Sequence, residues 1–175
     1  MADLNLIFSR EEIARRTREL GEAITRDYAG CRLVVIGILK GAFIFTADLV
    51  RAIDLPLEID FIRVASYGSK SCSSGDLKLT KDVELPLAGK DVLLVEDIVD
   101  TGRTVACLKE LFERHQPRSV RICALIDKKE RREMDAEIDY IGFTVAKGFL
   151  VGFGLDYAER HRQYPAVYHL ENPKN

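Results

Sequence analysis

The chain has 175 residues, 47% hydrophobic and 31% charged, which is enough apolar material for one ordinary core and too little for two large ones. A single domain over residues 1–175 is expected. The formal net charge of -2 offers no basic excess to a nucleic-acid backbone or an anionic membrane, so any polyanionic ligand must be met locally. No stretch approaches the roughly 20 apolar residues that span a bilayer and the first residues carry no leader pattern, so a cytoplasmic location is expected.

Ser9-Arg10-Glu11-Glu12 reads as a capping box, after which Ile13, Thr17, Leu20 and Ile24 share one helical face. Leu33 to Ile38 is a continuous apolar run rich in β-branched residues, as in a strand buried on both faces, and a second helical pattern follows Gly41. Leu57, Ile59 and Phe61 alternate with Glu58 and Asp60 and give another strand. Ser66 to Asp76 is rich in serine and glycine, hence too polar to bury: an inert hairpin or a lid that orders over substrate. Asp91 to Val95 is a further strand, ending at Glu96-Asp97, with a helix from about Thr104 to His115 and a strand from Val120 to Ile126.

Strands alternating with helices imply an α/β fold with a doubly wound, mostly parallel sheet flanked by helices. In such sheets the ligand lies outside the carboxyl ends of the strands. The four cysteines, Cys31, Cys72, Cys107 and Cys123, are widely scattered without zinc-ligand spacing, so reduced, mostly buried thiols are expected. His115, His161 and His169 have no serine or cysteine motif beside them to form a triad.

The most informative stretch is Val92 to Thr104, VLLVEDIVDTGRT. Gly102 can take a conformation closed to other residues, which turns the amides of 101–104 outward at a helix N-terminus, where anions are favoured. Thr101 and Thr104 add hydroxyl donors. Glu96 and Asp97 suit either a ribose diol or a hydrated Mg²⁺, since both want hard oxygen ligands.

This stretch resembles the phosphoribosyl pyrophosphate signature of the type I phosphoribosyltransferases: apolar residues, an acidic pair, two apolar residues, then Asp-Thr-Gly-x-Thr. Leu39-Lys40-Gly41, Ser66-Tyr67, Lys128, and Gly154-Leu155-Asp156-Tyr157 with Arg162 follow the pattern of the hypoxanthine-guanine branch. The resemblance runs from about Ile7 to Tyr168 and implies the fold of that family, with a small base-binding hood.

It also implies purine salvage: transfer of the 5-phosphoribosyl group from phosphoribosyl pyrophosphate to N9 of hypoxanthine or guanine, with Mg²⁺ as cofactor and a homodimer or homotetramer as the assembly. By the same resemblance the amides from Asp100 to Thr104, Arg103 being the variable position, hold the 5-phosphate. Glu96 and Asp97 hold the ribose hydroxyls, partly through Mg²⁺, and Asp156 is a ligand of a second Mg²⁺. Lys40, Gly41 and Arg162 face pyrophosphate, and the Lys40-Gly41 peptide is expected to be cis.

Asp100 is the expected general base near N7 of the purine. Lys128 donates to the base's O6, an ammonium having only donors, and this selects 6-oxopurines over adenine. Phe149 stacks on the base and the backbone of Leu150 meets its edge. Ser66 and Tyr67 open the closing loop. One departure stands out: Gly148 directly precedes the stacking aromatic where lysine or arginine is usual, with Lys147 one position earlier.

Rival readings are a non-enzymatic regulator on the same fold, disfavoured by the net charge and by the presence of Lys128, Phe149 and Asp156, and a sister enzyme using orotate, a pyrimidine or adenine. A metal-dependent phosphatase or receiver domain would not need the Asp-Thr-Gly-x-Thr nest.

Overall fold

The computed structural model describes residues 4–66 and 77–171. Tyr67, Cys72 and all of the expected loop beyond Ser66 therefore lie outside the described residues. The first strand, β1 (Leu4–Phe8), leads into α1 (Arg10–Asp27). Ser9 and Glu12 form the reciprocal capping box, and Ile13, Thr17, Leu20 and Ile24 are buried as their spacing requires.

Next come β2 (Leu33–Leu39), α2 (Phe43–Ala52), β3 (Leu57–Ser66), β4 (Leu77–Lys81), β5 (Asp91–Val99) and α3 (Arg103–Glu113). The chain closes with β6 (Ser119–Lys128), β7 (Tyr140–Val145), β8 (Leu150–Val151) and β9 (Val167–Leu170). Six strands form one sheet in the order β4-β3-β2-β5-β6-β7, parallel except for β4.

Because side chains alternate across a pleated strand, the central strands feed two cores. Leu33, Val35, Leu93, Val95, Cys123 and Leu125 pack with α1 and α2, while Val34, Ile36, Val92, Leu94, Ile122 and Ala124 pack with α3. The chain leaves β2 toward β3 on one side and β5 toward β6 on the other, so the switch point lies between β2 and β5, where a doubly wound sheet opens its crevice. A second, antiparallel sheet, β1-β9-β8, joins the start of the chain to its end.

Within β3, Ile59 is 45% exposed, whereas Asp60 is 8% exposed. The Asp60 carboxylate accepts from the backbone N–H groups of Phe61, Glu84 and Leu85 and from Lys81, which satisfies it on the face where Ile62 packs into the core beside α3. The expectation of reduced thiols is corrected at Cys107, which is disulfide-bonded, while Cys31 and Cys123 are free thiols.

Candidate active site

β5 does not end at Glu96-Asp97. Its pairing with β6 continues to Val99 opposite Asp127, while its pairing with β2 stops at Val95 opposite Gly37. The two carboxylates therefore sit on a continuous strand with one side released at the switch point. Facing them is the turn after β2. A Cβ on Gly41 would lie 1.7 Å from Asp97 Oδ2, so only glycine leaves that carboxylate in place. The cis peptide is Leu39–Lys40, one bond earlier than expected for Lys40–Gly41. β2 stays paired with β3 through Leu39, opposite Arg63, and the chain turns directly after that last pair.

Burial, together with the charge of Asp97, holds the Glu96 carboxyl well above the usual carboxylate range. Asp97 is also raised by burial, although it accepts from the N–H of Ile98 at 2.9 Å. Glu96 Oε2 is buried without a partner. Such a polar atom is costly unless a ligand completes it, and a hard cation or a sugar hydroxyl does so. Among the described residues no three His, Cys, Asp or Glu side chains converge as a ready metal cage. One or two carboxylates, with the rest of the shell from substrate oxygens and water, is the usual way of holding Mg²⁺, and the acidic pair fits that pattern.

Beyond β5, Gly102 (φ 82°) is the N-cap of α3 and has no side chain to cap it, while Thr101 Oγ1 accepts from the Arg103 N–H at 3.4 Å. The remaining outward amides of the turn are left for another acceptor. They line a small cavity of about 100 Å³ with Glu96, Asp100, Thr101 and Thr104. Arg103 ion-pairs with Glu133. The N–H groups of Glu133 and Met134 both reach Thr101 O at 3.0 Å, which ties the segment after β6 to this turn.

Lys128 ends β6 and is 6% exposed. Its ammonium is 3.6 Å from Asp100 Oδ2 and 3.3 Å from Glu130 Oε2. Arg131 donates to the same Asp100 oxygen, while Asp100 Oδ1 is buried without a partner. Arg132 reaches Asp100 O at 3.0 Å and Val99 O at 3.2 Å and ion-pairs with Asp127, clamping the end of β5 to the end of β6.

Glu130 also accepts from the N–H of Gly148 at 3.2 Å, which connects Lys128 to the segment that bears Phe149 and enters β8 at Leu150. Phe149 is 39% exposed with Tyr157 edge-on to its ring at 5.5 Å, and Leu150 is buried in its pair with His169. Gly148 has φ 115°, and a Cβ there would lie 2.7 Å from the His169 ring. That imidazole accounts for the glycine before the aromatic.

The last group gathers at the turn after β2. Arg162 donates to Gly154 O at 2.8 Å and pairs with Asp156 at 2.8 Å. Gly154 abuts Gly41 O, which a Cβ would meet at 2.0 Å. Lys40 pairs with Glu159 at 2.9 Å. The structure thus brings Lys40, Gly41, Glu96, Asp97, Asp156 and Arg162 to one side of the crevice and Asp100, Lys128, Phe149 and Leu150 to the other. Thr101 and Thr104 share the small cavity with Glu96 and Asp100. Ser66 ends β3, and Tyr67 falls outside the described residues.

Residues 5–158 match the phosphoribosyl transferase domain. The chain belongs to that family. It is 46% identical to a hypoxanthine-guanine phosphoribosyltransferase of Streptococcus thermophilus over 93% of this chain and 90% of that one. A hypoxanthine phosphoribosyltransferase of Salmonella typhimurium is 44% identical over 89% of both chains. The crystal structure of a hypoxanthine-guanine phosphoribosyltransferase of Bacillus anthracis superposes with a TM-score of 0.92 at 40% identity, covering 97% of this chain and 99% of that one.

Four side chains of this phosphoribosyl transferase site escape a reading of the sequence. Glu130, Arg131 and Arg132 belong to what reads as a solvated charge run after Lys128, and Glu159 lies unremarked between Asp156 and Arg162. The available signal was position: a charge run directly after a buried strand's last residue lies at the ligand end of the sheet.

Proposed function

We propose that this phosphoribosyl transferase is a purine salvage enzyme that moves the 5-phosphoribosyl group of phosphoribosyl pyrophosphate to N9 of a 6-oxopurine, hypoxanthine or guanine. The observation that carries the reading is the placement of a buried lysine donor, Lys128, 3.6 Å from Asp100 on the rim of the anion-binding turn. A purine whose O6 meets Lys128 brings its ring nitrogens toward Asp100. Its ribose then lies over the acidic pair.

In this reading the amides and hydroxyls of 101–104 hold the 5-phosphate, and Glu96 and Asp97 orient the ribose diol. Phe149 offers its exposed ring face to the base. N9 bonds to C1 of the ribose as the bond from C1 to the pyrophosphate oxygen breaks, and that oxygen leaves with the electron pair. Asp100 takes the proton that the imidazole ring loses, and Lys40 and Arg162 meet the charge growing on the leaving group. Glu96 and Asp97 would hold one Mg²⁺ and Asp156 a second, each with substrate oxygens, and the ions would supply further neutralisation of that charge. A homodimer or homotetramer acting in the cytoplasm is part of the proposal, in keeping with soluble, charged substrates.

The test is turnover with phosphoribosyl pyrophosphate, Mg²⁺ and, separately, hypoxanthine, guanine, xanthine, adenine, uracil and orotate. Nucleoside monophosphate from the 6-oxopurines alone is the expected result. Turnover of adenine or orotate in their place would overturn the role of Lys128, and binding of phosphoribosyl pyrophosphate without turnover of any base would favour a regulator.

A further inference from the structure

Lys40 and Arg162 share a carboxylate that the mechanism above does not use. A single oxygen of Glu159, Oε2, lies 2.9 Å from Lys40 Nζ and 3.3 Å from Arg162 Nη2. The two cations come from distant parts of the chain, yet one carboxylate bridges them. Its position is set by the backbone. Tyr157 and Arg160 exchange both N–H···O bonds, closing a two-residue turn in which Ala158 and Glu159 take φ of 51° and 62°. Side chains other than glycine, asparagine and aspartate rarely adopt that region, and this turn type normally takes those residues. The N–H of Glu159 donates to Asp156 Oδ2 at 2.9 Å, which fixes the turn against the second carboxylate of the cluster.

We propose that Glu159 competes with the pyrophosphate group for Lys40 and Arg162, and so sets how tightly phosphoribosyl pyrophosphate is held and how readily pyrophosphate leaves. The proposal rests on the reading of this site as a pyrophosphate site. Two cations, Lys40 and Arg162, face two carboxylates, Asp156 and Glu159, so the cluster is balanced. A polyanion entering it must either displace a carboxylate or bring cations of its own.

Glu159 is the one built to yield. Its side chain is 64% exposed against 30% for Asp156, and exposed ion pairs contribute little. The oxygens of a pyrophosphate group, which carries more charge than a carboxylate, make stronger charge-assisted bonds to the same ammonium and guanidinium. A carboxylate that holds both cations pointed inward and then withdraws lowers the affinity for product without removing the groups that stabilise the leaving charge.

The experiment measures binding of magnesium pyrophosphate by calorimetry, and its product inhibition, in the wild type, E159Q, E159D, K40Q and the K40Q/E159Q double variant. E159Q should bind magnesium pyrophosphate about three- to tenfold more tightly, roughly the strength of one or two exposed ion pairs. E159D, whose carboxylate is one methylene further back, should fall between, and serves as the reading if E159Q does not fold. K40Q should bind more weakly, and in that background the gain from E159Q should shrink by more than half.

Unchanged or weaker binding in both E159Q and E159D would overturn the competition and leave Glu159 as a purely structural member of the turn. If the wild type itself binds no magnesium pyrophosphate and turns over no base, the site reading falls. A wild type that turns over 6-oxopurines while the variants bind pyrophosphate no more tightly would refute Glu159 alone.

Discussion

Asp100 shows how little of a residue's situation is written in its own letter. The sequence places it at the head of a phosphate-binding turn, but one of its oxygens takes Arg131 and lies near Lys128 while the other is buried and free of protein partners. An acceptor with one satisfied and one unsatisfied oxygen suits a group that receives a proton from a ligand. Asp100→Asn should lower kcat by about 10²- to 10⁴-fold while KM for phosphoribosyl pyrophosphate changes far less. Steady-state kinetics check this, and wild-type turnover in the variant would end the assignment. Lys128 illustrates the reverse case. Followed by Lys129, Glu130, Arg131 and Arg132, it reads as surface charge, yet it is 6% exposed, because the residue that ends a central strand remains under the sheet's cover. A charge run hides the one member of it that is buried.

Among the elements, the long, strongly patterned ones were legible: the capping box and apolar stripe of α1, the unbroken apolar run of β2, and the apolar half of β5. β1, β4, β7, β8 and β9 were not, because two- to six-residue strands with mixed exposure leave too few residues to establish a period. The continuation of β5 past Glu96 was also hidden, since an acidic pair reads as a strand end unless the neighbouring strand is known to run on beside it. Asp60 and Asp91 tie their strands through buried carboxylates. Burial alone would raise both, but the N–H groups of Glu84, Phe61 and Leu85 outweigh it at Asp60, and Arg118 with Ser119 outweighs it at Asp91, so both are held below the usual value.

A depressed folded-state pKa contributes stability that is present above the unfolded value of about 3.9 and is lost as pH falls through the folded value. Thermal unfolding should therefore show a steep loss of stability on acidification below about pH 4, and D60N and D91N should each flatten that slope while lowering stability at neutral pH. An unchanged acid limb in both variants would refute the role of these carboxylates.

For the whole molecule, the doubly wound sheet was readable from the alternation of its central elements, whereas the second sheet was not. Its three strands are separated by most of the chain, and no local pattern announces that β1 will pair with β9 and β9 with β8. That sheet carries Leu150, with Phe149 directly before it, and the stacking of Phe8 on Phe143 at 4.0 Å anchors its edge to β7. A chain beginning at Ser9 should keep its affinity for phosphoribosyl pyrophosphate but show a several-fold higher KM for the base, measured with each substrate varied in turn. An equal loss for both substrates would mean that the small sheet supports the entire crevice.

The clamp between the ends of β5 and β6 has a metric consequence. Arg132 grips Val99 O and Asp100 O, and Thr101 O takes two N–H groups from the segment beyond Lys128, so the turn at 101–104 and Lys128 belong to one rigid jaw. A ligand that touches both is gauged against a fixed calliper. In the proposed reading ribose is the spacer across its opening, so a molecule with one linking atom more or fewer would fail at one end or the other, and the substrate's length would be gauged before any donor or acceptor on the base is read.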